Sequence, residues 1–151
     1  MAKNLLLQIC EVYEIPHTRW FTNKTFEEHP DKDSIFGLAQ MLEGYGVATR
    51  VVSYSDKAAA LRTLHTPVVA QVQDEWVVVR TITPDEVVYI HHEKPVRTSY
   101  DAFLDIWTNA MMLVAPNDDA AEPDLSDHRR TARRNRIKAI LRFLIPRCLK
   151  K

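Results

Sequence analysis

The stretch TPVVAQVQDEWVVVRTITPDEVVYIHH, residues 66–92, holds three runs rich in valine, isoleucine and aromatic residues, separated by the polar breaks DE and PDE. β-Branched and aromatic side chains favour extended backbone, and short polar breaks between such runs favour antiparallel neighbours. Three consecutive antiparallel strands are therefore predicted. Upstream lies EEHPDKDSIFGLAQMLEGYGV, residues 27–47. Ile35, Leu38, Ala39, Met41 and Leu42 fall at helical spacing, Ser34 or Asp33 is a suitable N-cap, and Gly46 is a suitable stop, which predicts a helix over about 34–45.

Residues 3–14 read as a short amphipathic helix through Leu5, Leu6, Ile9, Val12 and Tyr13, ending before Pro16. Residues 17–33 read as a polar loop. ATRVVSYS predicts a strand, DKAAALRTL a short helix, SYDAFLDIWTN a helix and AMMLVA a final buried strand. Helices first, then a mostly antiparallel sheet with one late helix inserted, make an α+β fold in which helices cover one face of the sheet. Three segments follow from composition: a domain over 1–116, an acidic proline-containing linker over 117–127, and a basic tail over 128–151.

The chain has 151 residues, enough for one domain with a real core, and its 46% apolar content with only three glycines argues against a disordered or low-complexity protein. Its net charge of zero conceals a division. Residues 1–127 hold ten Lys/Arg and all twenty Asp/Glu, whereas residues 128–151 hold ten Lys/Arg and no acid. In the tail, Ile137, Ile140, Leu141, Leu144 and Ile145 form one apolar stripe, ended by Pro146. Arg129, Arg130, Arg133, Arg134, Arg136, Lys138 and Arg142 accompany it. Such a helix suits an anionic membrane surface, or else packs its stripe on the domain's own core; nucleic acid is not an expected partner, because no recognised nucleic-acid module accompanies the charge. No run is long enough to span a bilayer, and residues 5–10 make a poor signal peptide. Cys10 and Cys148 lack the neighbours of a metal knuckle or redox pair, which is the pattern of a reduced, cytoplasmic protein.

A polar, charged segment placed at the start of an apolar helix is where many enzymes hold a nucleophile, since unsatisfied N–H groups stabilise negative charge there. DSIFGLAQMLEGYG, TPVVAQVQDEWVVVRTITPDEVVYIHH and YDAFLDIWTNAMMLV together resemble the papain-like cysteine peptidase domain that removes double-glycine leaders from bacteriocins. In that family a cysteine opens the helix, a histidine precedes the valine-rich strand, and an aspartate follows the next strand. The resemblance puts those positions at Asp33 or Ser34, at Glu75, and near His92. All three are replaced, and two carboxylates cannot imitate a thiolate with its imidazole. HTRWFTNKTFEEHPDKDSIFGLAQMLEGYGV, above all its Thr22–Pro30 pattern, further resembles the catalytically degenerate peptidase-like domain of Bacteroidetes vitamin K epoxide reductase fusions.

The resemblance implies a non-catalytic accessory domain that binds a peptide or protein partner at the cytoplasmic membrane face, tied to thiol oxidation or peptide export. The alternative is an active peptide hydrolase with a rearranged site. Asp33, Glu75, Trp76, His91 and His92 are the candidate peptide groove; Tyr89 and Trp107 are weaker aromatic candidates. His91 and His92 look like a ligand pair, but adjacent strand residues point to opposite faces. No metal and no cofactor is therefore expected.

Overall fold

The computed structural model describes the backbone of residues 4–144 and the side chains of residues 4–141. Of the residues singled out above, Ile145, Pro146 and Cys148 lie outside the described residues, as do the side chains of Arg142 and Leu144. The elements run α1 (Leu5–Val12), α2 (Arg19–Glu28), α3 (Ile35–Gly44), β1 (Val47–Ser53), α4 (Lys57–Thr63), β2 (Val68–Val72), β3 (Glu75–Ile82), β4 (Glu86–His91), β5 (Lys94–Ser99), α5 (Tyr100–Ile106), β6 (Trp107–Pro116) and α6 (Leu125–Leu144). The strands form one sheet in the order β1-β6-β2-β3-β4-β5, every pair antiparallel.

The valine runs alternate between two cores. Val69, Val78 and Met112 face α1, α2 and α3, where Leu6, Ile9, Phe26, Leu38, Leu42 and Tyr45 are buried. Their neighbours Ala70, Val77, Val79 and Met111 face the other way, onto Leu61 of α4, Phe103 of α5 and Trp107. The expectation of helices on one face is thus corrected: α4 and α5 cover the second face. Each fully buried aliphatic side chain contributes about 1.5–3 kcal/mol, so neither face is dispensable.

Two elements depart from the expected pattern. Residues 19–28, expected as loop, are helical, yet only Thr22 and Phe26 of that helix are buried. Residues 94–99, assigned no element above, form the edge strand β5, which carries Pro95 and alternating exposed residues. The acidic segment after β6 is bonded to the body: Asn117 N donates to Gly46 O at 3.1 Å, Ala121 N to Tyr45 O at 2.9 Å, and Glu122 N to Pro16 O at 2.9 Å. Glu122 is 3% exposed. Its carboxylate accepts from Thr18 N at 3.0 Å, from Thr18 Oγ1 at 2.9 Å and from Thr22 Oγ1 at 3.2 Å. It also meets His128 Nδ1 at 2.8 Å. His128 stacks on Phe21, ring centroids 3.7 Å apart, and so fastens the start of α6 to α2.

Beyond Ala132 every described side chain of α6 is exposed, including Ile137, Ile140 and Leu141 at 51–53%. The described part of the apolar stripe, Ile137, Ile140 and Leu141, belongs to neither buried core. No helix among the described residues is long and apolar enough to cross a membrane.

Candidate functional site

The loop 29–34 carries the chain from α2 into α3 and folds tightly on itself. His29 Nδ1 accepts from Asp31 N at 3.1 Å, and Ser34 N donates to Asp31 O at 2.9 Å. Ser34 caps α3, its Oγ accepting from Phe36 N at 3.2 Å. Gly37 is required at the next turn, because a Cβ there would meet Asp31 O at 2.0 Å. This close approach fixes where Asp33 and Ser34 sit relative to the sheet.

Opposite them, the β2–β3 hairpin turns at Gln73, whose φ of 55° is left-handed, and presents Asp74, Glu75 and Trp76. The two segments enclose a cleft of about 330 Å³ lined by Asp33, Ser34, Glu75 and Trp76 over an apolar floor of Leu5, Phe26, Ile35 and Leu38. Candidates separated by some 40 residues in sequence are therefore brought together. Asp33, Asp74 and Glu75 make the rim acidic. Lys32, the cation at the rim, is held by Glu27 at 2.9 Å, and that hydrogen bond pushes its ammonium pKa up.

Tyr89 and Trp107 do not line the cleft. Both belong to the core of the opposite sheet face, where Trp107 Nε1 donates to Ala110 O at 2.9 Å. Phe36, 70% exposed and next to the cleft residue Ile35, is a surface aromatic that sequence reasoning missed. The signal was available: it stands outside the apolar stripe of α3.

The surroundings of His91 and His92 also differ from the sequence expectation. The partner of Glu75 is His91, with Nε2 to Oε2 at 2.9 Å. His92 and Glu93 form the two-residue turn from β4 to β5 with φ of 50° and 67°, values that break the alternation of a strand. The rings of His91 and His92 consequently lie 3.9 Å apart instead of on opposite faces, which corrects the sequence expectation for this pair. Glu75, His91 and His92 can each aim one ligand atom into a space where all three lie within 4.8 Å of one another.

The described thiol lies elsewhere. Cys10 is fully buried in the α1 core, and burial pushes its pKa up to about 12, so it carries no thiolate at neutral pH. The oxygen of Ser34 is engaged in its cap. Among the described residues, neither side chain is hydrogen-bonded to an imidazole.

Three solved structures share this architecture. The peptidase domain of Streptococcus ComA, a bi-functional ABC transporter involved in quorum sensing, superposes with a TM-score of 0.59 at 16% identity, over 74% of this chain and 88% of that one. The N-terminal peptidase C39-like domain of the toxin secretion ATP-binding protein from Vibrio parahaemolyticus gives 0.59 at 15%, over 76% and 94%. A double-glycine-motif protease from an AMS/PCAT transporter, solved with its leader peptide, gives 0.63 at 12%, over 74% and 81%. No curated protein sequence matches the chain. The description "Peptidase C39 family" matches residues 6–119, from α1 through β6 and into the segment bonded beside Gly46, and on that match the chain belongs to the peptidase C39 family.

Proposed function

We propose that this chain is a non-catalytic member of the family that holds an extended peptide in the cleft between α3 and β3. The observation that carries the reading is the cleft itself: it persists with an apolar floor and Trp76, while Asp33, Ser34 and Glu75 stand where the resemblance puts nucleophile and base. The acidic rim favours a peptide with apolar side chains and a basic residue, and the exposed Phe36 offers a further anchor. A hydrolase reading loses support because Cys10 is buried and Ser34 lacks an imidazole. Mixing the full chain with double-glycine leader peptides should change Trp76 fluorescence without producing fragments in a mass spectrum, and Trp76→Ala should weaken binding about tenfold. Cleavage abolished by Ser34→Ala would overturn the proposal.

The tail supplies the second half of the reading: attachment to the cytoplasmic face of a membrane, in keeping with a role beside a thiol-oxidation or peptide-export system. Arg129, Arg130, Arg133, Arg134, Arg136 and Lys138 are exposed together with Ile137, Ile140 and Leu141. Near an anionic leaflet each basic residue contributes about 1 kcal/mol, and the apolar stripe adds burial that salt does not screen. Sedimentation with anionic liposomes should remove the protein from solution, and neutral liposomes should do so far less. Equal recovery with and without anionic lipid would sink this half alone.

A further inference from the structure

We propose that Glu75, His91 and His92 form a binding site for a divalent transition-metal ion, zinc or a first-row neighbour, at the rim of the cleft. The proposal rests on the donor geometry of these three residues and does not require that the cleft hold a peptide. Two imidazoles and one carboxylate make a donor set that zinc takes where it keeps an open position, whereas magnesium and calcium seek oxygen donors throughout. Ligands at about 2.0–2.1 Å from a tetrahedral ion lie about 3.3 Å apart. The available set spans that spacing: Glu75 Oε2 and His91 Nε2 are 2.9 Å apart, and all three ligand atoms fall within 4.8 Å of one another. Side-chain rotations alone can bring them onto one ion. The backbone beneath them is already fixed, since Glu75 pairs with Val72, His91 pairs with Lys94, and His92 is set by the left-handed turn between β4 and β5.

The ion would replace the hydrogen bond between Glu75 and His91, and three protein donors leave a fourth position for water or for a donor atom of a bound molecule. Because Glu75 is also a wall of the cleft, that position lies beside the path proposed for the peptide.

The test uses the full chain, stripped with a chelator and carrying Cys148→Ser so that no tail thiolate contributes. Titration with zinc chloride or nickel chloride alone should show one equivalent bound, magnesium chloride should show none, and cobalt should give the visible absorption of an ion held by nitrogen and oxygen donors. His91→Ala and His92→Gly should each weaken zinc binding by roughly tenfold or more. His92→Gly relieves the left-handed turn, so its loss of metal at an undiminished melting temperature excludes unfolding as the cause. His65→Ala, an exposed histidine outside the set, should leave binding unchanged. An absence of saturable zinc binding, or a zinc affinity unaltered by His91→Ala and His92→Gly together, would overturn the site.

Discussion

Gly37 shapes the cleft without chemistry of its own, and Cys10 does the same for the core behind α1. At Gly37 the loop carbonyl of Asp31 occupies the place of a side chain, so Gly37→Ala forces a 2.0 Å contact with backbone. Overpacking of this kind costs about 1–3 kcal/mol. A lowered melting temperature is expected, together with weaker peptide binding, because the displaced loop carries Asp33 and Ser34. Cys10 acts through pH. Its folded pKa of about 12 exceeds the ordinary 9.0, so the protonated thiol is the form the core accommodates. Below pH 9 its contribution to stability is whole. Above 9 the unfolded chain ionises while the folded one does not, and stability falls by about 1.4 kcal/mol per pH unit toward 12. Burial also raises Tyr13, and raises Tyr45 to about 12 from 10.0, which steepens the decline above pH 10. Thermal melts should therefore be level near neutrality and fall above pH 9, and Cys10→Ala should flatten the segment between pH 9 and 10. A slope unchanged by that substitution would remove Cys10 from the account.

Among the elements, α2 depends most on distant residues. Its N-cap residue Thr18 makes no side-chain cap bond within the helix, its hydroxyl being committed to Glu122. Three residues of the Thr22–Pro30 pattern share in this anchoring. Thr22 joins Glu122 to the Tyr45 hydroxyl, Asn23 accepts from Asn4 Nδ2, and Phe26 enters the core. Glu122→Ala should leave the Thr18 N–H and hydroxyl as unmatched buried donors and should destabilise the fold by about 3 kcal/mol, measurable by urea denaturation. This anchoring also governs how the tail is tested. Truncation after residue 127 would remove His128 and confound loss of the tail with loss of a structural contact. Replacing Ile137, Ile140 and Leu141 by serine is the cleaner variant: liposome binding should fall while the melting temperature holds, since these side chains are exposed and belong to neither buried core.

Across the whole molecule, legibility followed the range of the forces involved. The strands β2, β3 and β4 and the helix α3 are written locally, in β-branched runs and in an apolar stripe with its cap. The two-faced burial of the sheet was also written there, since VVA and WVVV are continuous rather than alternating, the mark of strands covered on both sides. Helix α2 was hidden because its stabilising partner is 100 residues away. Strand β5 was hidden because its turn uses His92 and Glu93 in place of the usual Gly or Asn, and because Pro95 disguises an edge strand. The family's order of elements joined Asp33, Glu75 and Trp76, which line one cleft with Ser34, whereas His91 and His92, named with them from the sequence, are not among its lining residues. The convergence of His91 and His92 was not legible, because it depends on two left-handed residues that no local pattern announces.

The sheet order places the last strand, β6, between β1 and β2, and residue 122 closes onto residue 18. A chain emerging from the ribosome can therefore form the β2–β5 meander early, but its first 53 residues have no completed sheet to rest on until about residue 116 has appeared. The long sequence separation of these contacts implies slow closure, with the sheet beneath α1 and α3 incomplete until β6 has been made. For this fold β6 and the acidic segment behind it are what join β1 and its helices to the β2–β5 meander.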